Sequence, residues 1–167
     1  MRSVGELGHL ARRFCWTLRA TPPTAEDEAW ACARLRPGEA ALWQAQHPLD
    51  RRHTVAVAHR VVATAGPGAP PWVLSAALLH DVGKAEAPMG VLGRTVATVL
   101  ELVGARTAPG KLGRYLAYSE RGAELLAEVG SDPEVVAWAR EHHEPPERWT
   151  VPRAWGEALA AADRGAD

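Results

Sequence analysis

The stretch Leu78-Leu79-His80-Asp81-Val82-Gly83-Lys84 carries the most informative pattern of the chain. An apolar helix end precedes an adjacent imidazole and carboxylate, and a glycine and a lysine follow directly. Imidazole and carboxylate groups bind metals, and a lysine ammonium binds phosphate as a point charge. The stretch therefore predicts a metal site at a helix end with a phosphate-binding cation beside it. Because a His-Asp pair also occurs by chance, this prediction depends on partners elsewhere in the chain.

Those partners lie on both sides of the stretch and form the ordered pattern H…HD…HH…D. His53 lies upstream, whereas the pair His142-His143 and then Asp163 lie downstream. Taken singly, an inward histidine is more often a hydrogen-bonded core residue than a metal ligand. The order of several such residues favours the metal interpretation.

Helical periodicity directs His53, His80 and Asp163 toward the core. His53 continues an apolar stripe of Leu49, Val57 and Val61. His80 follows Val73 and Ala77 on one face, and Asp163 follows Trp155 and Leu159. Burying an unpaired carboxylate costs several kcal/mol, roughly, unless the group is paired or coordinates a metal. One divalent ion would satisfy all of these groups. Imidazole and carboxylate donors without thiolate favour iron, manganese, nickel, cobalt or zinc over calcium.

The pattern resembles that of the HD-domain superfamily of metal-dependent phosphohydrolases, which is named after the His-Asp pair. The resemblance extends from about residue 40 to residue 167. It includes L-L-H-D-V-G-K at 78–84, G-A-E-L-L at 122–126, E-H-H-E at 141–144 and the final A-D-R. It implies an all-helical domain that binds one or two divalent metals in its core and commonly hydrolyses phosphoesters of nucleotides.

The resemblance and the stripes together predict a site in which His53, His80, Asp81 and Asp163 hold the metal. Lys84 is expected to bind the phosphate of the substrate, and Asp81 and Lys84 are the predicted catalytic residues. Candidates for substrate binding are Arg52, Arg94, Arg114 and Tyr118, although a solvated surface position is the usual state of an arginine. The general acid or base is left open among Glu86, Glu141 and Glu144.

Tyr118 marks a departure from the family pattern. Two-metal members usually have H-P-x-x-G before G-A-E-L-L, and their histidine binds the second metal. This chain has Tyr118-Ser119-Glu120-Arg121-Gly122 there. A phenol with a pKa of about 10 is a poorer ligand than an imidazole, so we predict one tightly held metal and a weak or absent second one. His142 and His143 either help to hold that second ion, hydrogen-bond the substrate phosphate, or cap and pack.

Composition indicates one compact domain, with residues 1–39 as an N-terminal helical extension and residues 40–167 as the metal-binding core. The formal charge of −1 over 167 residues gives no general attraction for a nucleic acid duplex or an acidic membrane surface. The two cysteines form no CxxC motif. Because we find neither a secretory signal nor a membrane-spanning segment, we expect a cytoplasmic protein. The oligomeric state is left open.

The predicted fold is an all-α, compact bundle of about seven or eight helices. An amphipathic helix is expected over 4–18, and Thr24 with Asp27 offers a cap for a helix that runs to about Leu35. A short helix starts at Pro37. The core helices are predicted over 49–65, 71–81, 88–104, 112–129, 133–143 and 153–164.

Two functions remain open from the sequence. The first is a metal-dependent phosphohydrolase that acts on a nucleotide or a related small phosphoester. The alternative is a non-catalytic, metal-stabilised module that binds a ligand or a protein and transmits a signal. The metal quartet and Lys84 favour hydrolysis, whereas the tyrosine at position 118 favours the signalling module.

Overall fold

The computed structural model describes residues 21–86 and 117–166, and these parts of the chain are helical without any strand. The described α-helices, labelled in chain order, are α1 (Ala25–Cys32), α2 (Pro37–Ala45), α3 (Pro48–Ala65), α4 (Pro71–Leu79), α5 (Tyr118–Glu128), α6 (Pro133–Glu141) and α7 (Arg153–Gly165). Three 3-10 turns accompany them at Gly66–Gly68, Val82–Glu86 and Pro146–Arg148. The all-α prediction is confirmed.

Helix α4 lies at the centre of the bundle. Its sequence is almost entirely apolar, and Val73, Leu78 and Leu79 are completely buried. Burying each such side chain stabilises the fold by roughly 1.5 to 3 kcal/mol. Helix α4 packs against α2, α3, α6 and α7, so its C-terminal end is surrounded by the helices that carry the other predicted metal ligands.

Helices α5 and α6 form an antiparallel hairpin whose turn depends on a glycine. Gly130 has a φ of +74°, a conformation that residues with a side chain rarely adopt. Arg36, directly before α2, donates a hydrogen bond of 2.6 Å to the Gly130 carbonyl and pairs with Asp132. These contacts fix the outer end of the hairpin, while its inner end lies beside α4.

Helix starts follow the sequence closely. The predicted cap of α1 is present, because Thr24 Oγ1 accepts a hydrogen bond from the Asp27 amide and the Asp27 carboxylate accepts one from the Thr24 amide. Helices α3, α4, α6 and α7 begin within one residue of their predicted starts. The predicted helices over 4–18 and 88–104, and the first part of that over 112–129, lie outside the described residues.

The main difference from the sequence prediction is the end of α4. The helix was expected to reach residue 81 but ends at Leu79, and a 3-10 turn follows over Val82–Glu86. Gly83 allows this turn to lie against α5, because an added Cβ there would be 1.9 Å from the Tyr118 carbonyl oxygen. The chain therefore bends away from the α4 axis at the His-Asp pair, and Lys84 lies on the turn.

No helix in the described part of the chain is both long enough and apolar enough to cross a membrane. This observation covers residues 21–86 and 117–166 alone.

Gly83→Ala should destabilise the protein, since its Cβ would also lie 2.7 Å from the Gly122 amide nitrogen and both neighbouring atoms belong to backbone. Overpacking of this kind costs about 1 to 3 kcal/mol. Urea unfolding measures the loss. Gly68→Ala is the matched control because an added Cβ there meets nothing within 4 Å, and equal stability of the two variants would contradict the prediction.

Candidate metal centre

The end of α4 brings three of the predicted ligands together. Ligand atoms of His53, His80 and Asp163 lie within 4.8 Å of one another. His53 Nε2 is 2.8 Å from Asp163 Oδ1, and His80 Nε2 is 3.8 Å from the same oxygen. Two ligand atoms that each lie about 2.1 Å from one ion are separated by about 3 to 3.5 Å. The side chains from α3, α4 and α7 therefore converge on one point, and a bound ion would require their separations to change by a few tenths of an ångström.

A backbone carbonyl fixes the His80 ring. His80 Nδ1 lies 2.9 Å from the Ala77 carbonyl oxygen, one helical turn earlier. Because a carbonyl can only accept, Nδ1 carries a hydrogen and donates it, so Nε2 is the ring nitrogen that faces the cluster. Histidine ligands are commonly oriented by such a hydrogen bond from the ring nitrogen that does not touch the metal.

Asp81 lies beside this cluster, and its two carboxylate oxygens have different surroundings. Oδ2 is 2.6 Å from Lys84 Nζ and 3.7 Å from His80 Nε2. Oδ1 is buried and has no hydrogen-bond partner among the described residues, and it points toward His142 Nε2 at 3.9 Å. A buried oxygen in this state is costly, so the donor set fits a divalent cation.

Charge controls the protonation of the two carboxylates. Burial acts to raise the pKa of Asp81, but the Lys84 ammonium and the imidazoles around it outweigh burial and hold that pKa well below its ordinary value. For Asp163, the hydrogen bond from His53 and the charge of His80 outweigh burial and lower its pKa. Both groups are therefore carboxylates at neutral pH, as metal coordination requires.

The centre opens toward solvent on one side. The Asp163 side chain is 32% exposed, whereas those of His80 and Asp81 are each 4% exposed. Asp163 is therefore the most exposed of the four predicted ligands in the described structure.

The family comparison agrees with this geometry. A family model for the HD domain matches residues 51–164, which is more than half of the chain and includes His53, His80, Asp81 and Asp163. The chain belongs to the HD-domain superfamily of metal-dependent phosphohydrolases. Comparisons with curated proteins and with solved structures gave no match. Members of the superfamily bind divalent metals, and in this HD domain the His53, His80 and Asp163 cluster is the candidate position.

Next to this cluster, Tyr118 joins the two histidines of the E-H-H-E run. Its hydroxyl lies 3.2 Å from His142 Nε2 and also contacts His143 Nε2. His142 Nδ1 lies 3.0 Å from the Ala139 carbonyl oxygen and must donate to it, so Nε2 of the neutral ring accepts the Tyr118 hydrogen. With that hydrogen used, the Tyr118 oxygen accepts one from His143. Tyr118 therefore orders both imidazoles.

Both imidazoles are held in their neutral form. Burial, followed by the neighbouring His143 and His80 rings, lowers the pKa of His142 well below its ordinary value. Desolvation by surrounding atoms and the Lys84 charge lower the pKa of His143 to about 4, although part of this residue is exposed. The His142 ring lies 5.1 Å from the His80 ring, measured between centroids. The histidine pair thus adjoins the cluster without belonging to it.

The remaining predicted substrate contacts lie elsewhere or outside the described residues. Arg52 Nη1 donates a hydrogen bond of 3.0 Å to the Thr21 carbonyl, so its guanidinium is directed to the start of the described chain. Arg94 and Arg114 lie outside the described residues. Of the acid or base candidates, Glu86 pairs with Arg121, Glu141 accepts from Thr150, and Glu144 pairs with Arg148.

Trp149 is a supporting residue that the sequence analysis missed. Its indole N–H lies 3.1 Å from the Glu141 carbonyl oxygen and 3.0 Å from that of Glu144, which flank the two histidines. The ring also lies against Gly156 of α7, where an added Cβ would be 2.6 Å from it. A buried tryptophan usually bonds its N–H to a partner, but its sequence position gives no signal of which carbonyls it meets.

His80→Ala should remove the metal from the purified protein and lower its thermal stability, because metal binding to the folded state contributes directly to folding free energy. Elemental analysis by mass spectrometry measures the metal per chain. His59→Ala is the matched control, since His59 is exposed and stacks on Trp30. Equal metal content in the two variants would show that His80 is not a ligand.

The native protein should hold one tightly bound ion per chain. Tyr118 already hydrogen-bonds both Nε2 atoms of the histidine pair, so these atoms are engaged before any second ion arrives. Anomalous scattering from crystals grown with manganese counts the ions. Two fully occupied sites about 3.5 to 4 Å apart, the usual spacing of a two-metal centre, would contradict this expectation.

Proposed function

We propose that this HD domain is a metal-dependent phosphohydrolase that acts on a nucleotide or a related small phosphoester. The observation that carries the proposal is the convergence of His53, His80 and Asp163 within 4.8 Å, with the Asp81–Lys84 pair at the edge of that cluster. The arrangement places metal ligands and a cation of the kind that binds phosphate in one partly open centre.

In this proposal His53, His80, Asp81 and Asp163 hold one divalent transition metal. Two imidazoles and two carboxylates suit iron, manganese, nickel, cobalt or zinc. The unpartnered Oδ1 of Asp81 supports the assignment, because coordination would satisfy a buried oxygen that has no other partner in the described chain. When bound, such an ion supplies Lewis-acid chemistry, in that it neutralises charge developing on a phosphoryl oxygen and acidifies water.

Lys84 is the residue that we assign to the substrate phosphate. Its Nζ lies 2.6 Å from Asp81 Oδ2 and 4.6 Å from the centre of the Tyr118 ring. An ammonium carries a full positive charge and three N–H donors, so it suits a phosphate oxygen beside the Asp81 carboxylate. The Asp81 carboxylate keeps the ammonium in place, and the charge-assisted bond from Lys84 orients the phosphate.

Tyr118, His142 and His143 form the wall of the proposed substrate pocket. Burial lowers the pKa of both imidazoles and keeps them neutral, and a chain of hydrogen bonds fixes their orientation. His143 lies at the exposed end of this hydrogen-bond chain. For that reason we propose that it contacts the leaving group of the substrate. The buried His142 then acts through the orientation that it gives to its neighbours.

The preference for a nucleotide rests on membership of the superfamily. The alternative function, a non-catalytic signalling module, has one supporting observation: Lys84 is already paired with Asp81, and Tyr118 with both histidines. A panel of nucleotides, phosphomonoesters and phosphodiesters, assayed with manganese, iron or nickel, separates the two functions. Tight nucleotide binding by calorimetry without turnover of any member of the panel would favour the module.

Lys84→Ala should reduce kcat/KM by about ten- to a hundredfold, because one charge-assisted contact to phosphate is worth about 1.5 to 3 kcal/mol. Metal content should be retained, since Lys84 repels rather than holds a cation at Asp81. Steady-state assays and elemental analysis measure the two quantities. Lys84→Arg keeps the charge and should lose less activity. Loss of metal from Lys84→Ala in proportion to activity would argue against a substrate contact.

A further inference from the structure

The turn that carries Lys84 is fastened to α5 at two places. At its start, the backbone of Gly83 lies directly against that of Tyr118 and Gly122, with no space for a side chain between them. At its end, both carboxylate oxygens of Glu86 accept hydrogen bonds from Arg121, from Nε at 2.7 Å and from Nη2 at 2.9 Å. Lys84 lies between these two points.

The Arg121–Glu86 pair has the geometry of a positioning contact. Two parallel N–H···O bonds fix the relative orientation of guanidinium and carboxylate as well as their distance. Arg121 also donates a hydrogen bond of 2.9 Å to Glu124 on the next turn of α5, which orients the guanidinium from its other side. Glu86 is therefore held to a guanidinium that is itself held to the helix.

The pair contributes little to stability by itself. The Arg121 and Glu86 side chains are 36% and 48% exposed, so solvent screens their charges and the pair stabilises the fold only weakly. The pair matters more for the position of the turn than for the free energy of unfolding. Asp81 holds the ammonium end of the flexible four-carbon lysine stem. The backbone of Val82–Glu86 fixes the other end, so the position of Lys84 depends on both.

We propose that Arg121 and Glu86 are positioning residues that hold the Lys84 ammonium at the metal centre. The inference rests on the proposed function and deepens it, since it names the contact that keeps the phosphate-binding cation directed at the substrate. Neither residue belongs to the cluster of His53, His80 and Asp163. Loss of the pair should therefore change the position of Lys84 without removing a metal ligand.

The composition of the chain offers a direct probe of that position. Lys84 and Lys111 are its only two lysines, so reductive ¹³C-methylation gives two side-chain signals besides the terminal amine, and Lys84→Arg assigns them. A dimethylated ammonium keeps its charge and one N–H. The Lys84 signal reports the Tyr118 ring, whose centre is 4.6 Å from Nζ.

Glu86→Gln should move the Lys84 methyl signal toward the shift of a free lysine, because the turn loses its fastening to Arg121. The matched control is Glu157→Gln, which removes an equally short exposed contact, 2.7 Å between Arg153 Nε and Glu157 Oε1, on α7. The control should leave the signal unchanged. An unmoved Lys84 signal in Glu86→Gln, or an equal shift in both variants, would overturn the proposal.

Kinetics provide the second measurement. With a substrate from the phosphoester panel, Glu86→Gln should lower kcat/KM by about three- to tenfold and keep the native metal content. The control Glu157→Gln should keep both the native kcat/KM and the native metal content. The exchange variant Glu86→Arg/Arg121→Glu should recover part of the loss. Unchanged kcat/KM in Glu86→Gln would overturn the positioning role.

The two proposals fail in different ways. If the native protein hydrolyses no phosphoester, the proposed function fails, and the Lys84 signal still decides whether the pair positions the lysine. If the native protein is active and Glu86→Gln matches it in both measurements, the positioning inference alone is wrong.

Discussion

The buried charge of Asp81 is the constraint on which the rest of the centre depends. This residue is 3% exposed and directly follows the most apolar helix of the bundle. A carboxylate in such a place must be paired or must coordinate a metal, and breaking a buried pair by removing one partner costs about 3 to 5 kcal/mol. Lys84 supplies the pairing charge from three residues further along the chain, on the 3-10 turn that follows α4.

The 3-10 turn over Val82–Glu86 also determines where α5 lies. The backbone contact between Gly83 and the first turn of α5 leaves no room for a side chain, so the two segments are in register. Tyr118, at the start of α5, is thereby brought against the Lys84 ammonium and the histidine pair. The metal ligands, the cation and the tyrosine therefore occupy one side of the bundle as a consequence of a single close approach between two backbones.

Local sequence was sufficient to predict the inward direction of the key side chains. The apolar stripes place His53 and His80 among core residues, and both are buried. Asp163, on the third stripe, faces the same cluster but stays partly exposed. Periodicity works here because the packed face of a helix repeats with the helix. The early end of α4 was not predictable in the same way, since no glycine or proline stands between Leu79 and Gly83 to mark it.

Contacts between distant segments were also beyond local pattern. Arg52 was a candidate for substrate binding, but its partner Thr21 lies on the segment before α1 and no spacing rule connects the two. The same is true of the Arg121–Glu86 pair and of Trp149, whose hydrogen bonds bracket the histidine pair. Such contacts depend on the packing of whole helices, which is settled only when the bundle is assembled.

The contact between His53 and Asp163 has a consequence for the entropy of the chain. These residues are 110 positions apart, and closing a flexible loop of that length costs on the order of 4 kcal/mol by the logarithmic scaling of loop closure. An ion held by both side chains would act as a reversible cross-link between α3 and α7. Its loss would return that entropy to the unfolded chain, so a chelator should lower the stability of the whole bundle.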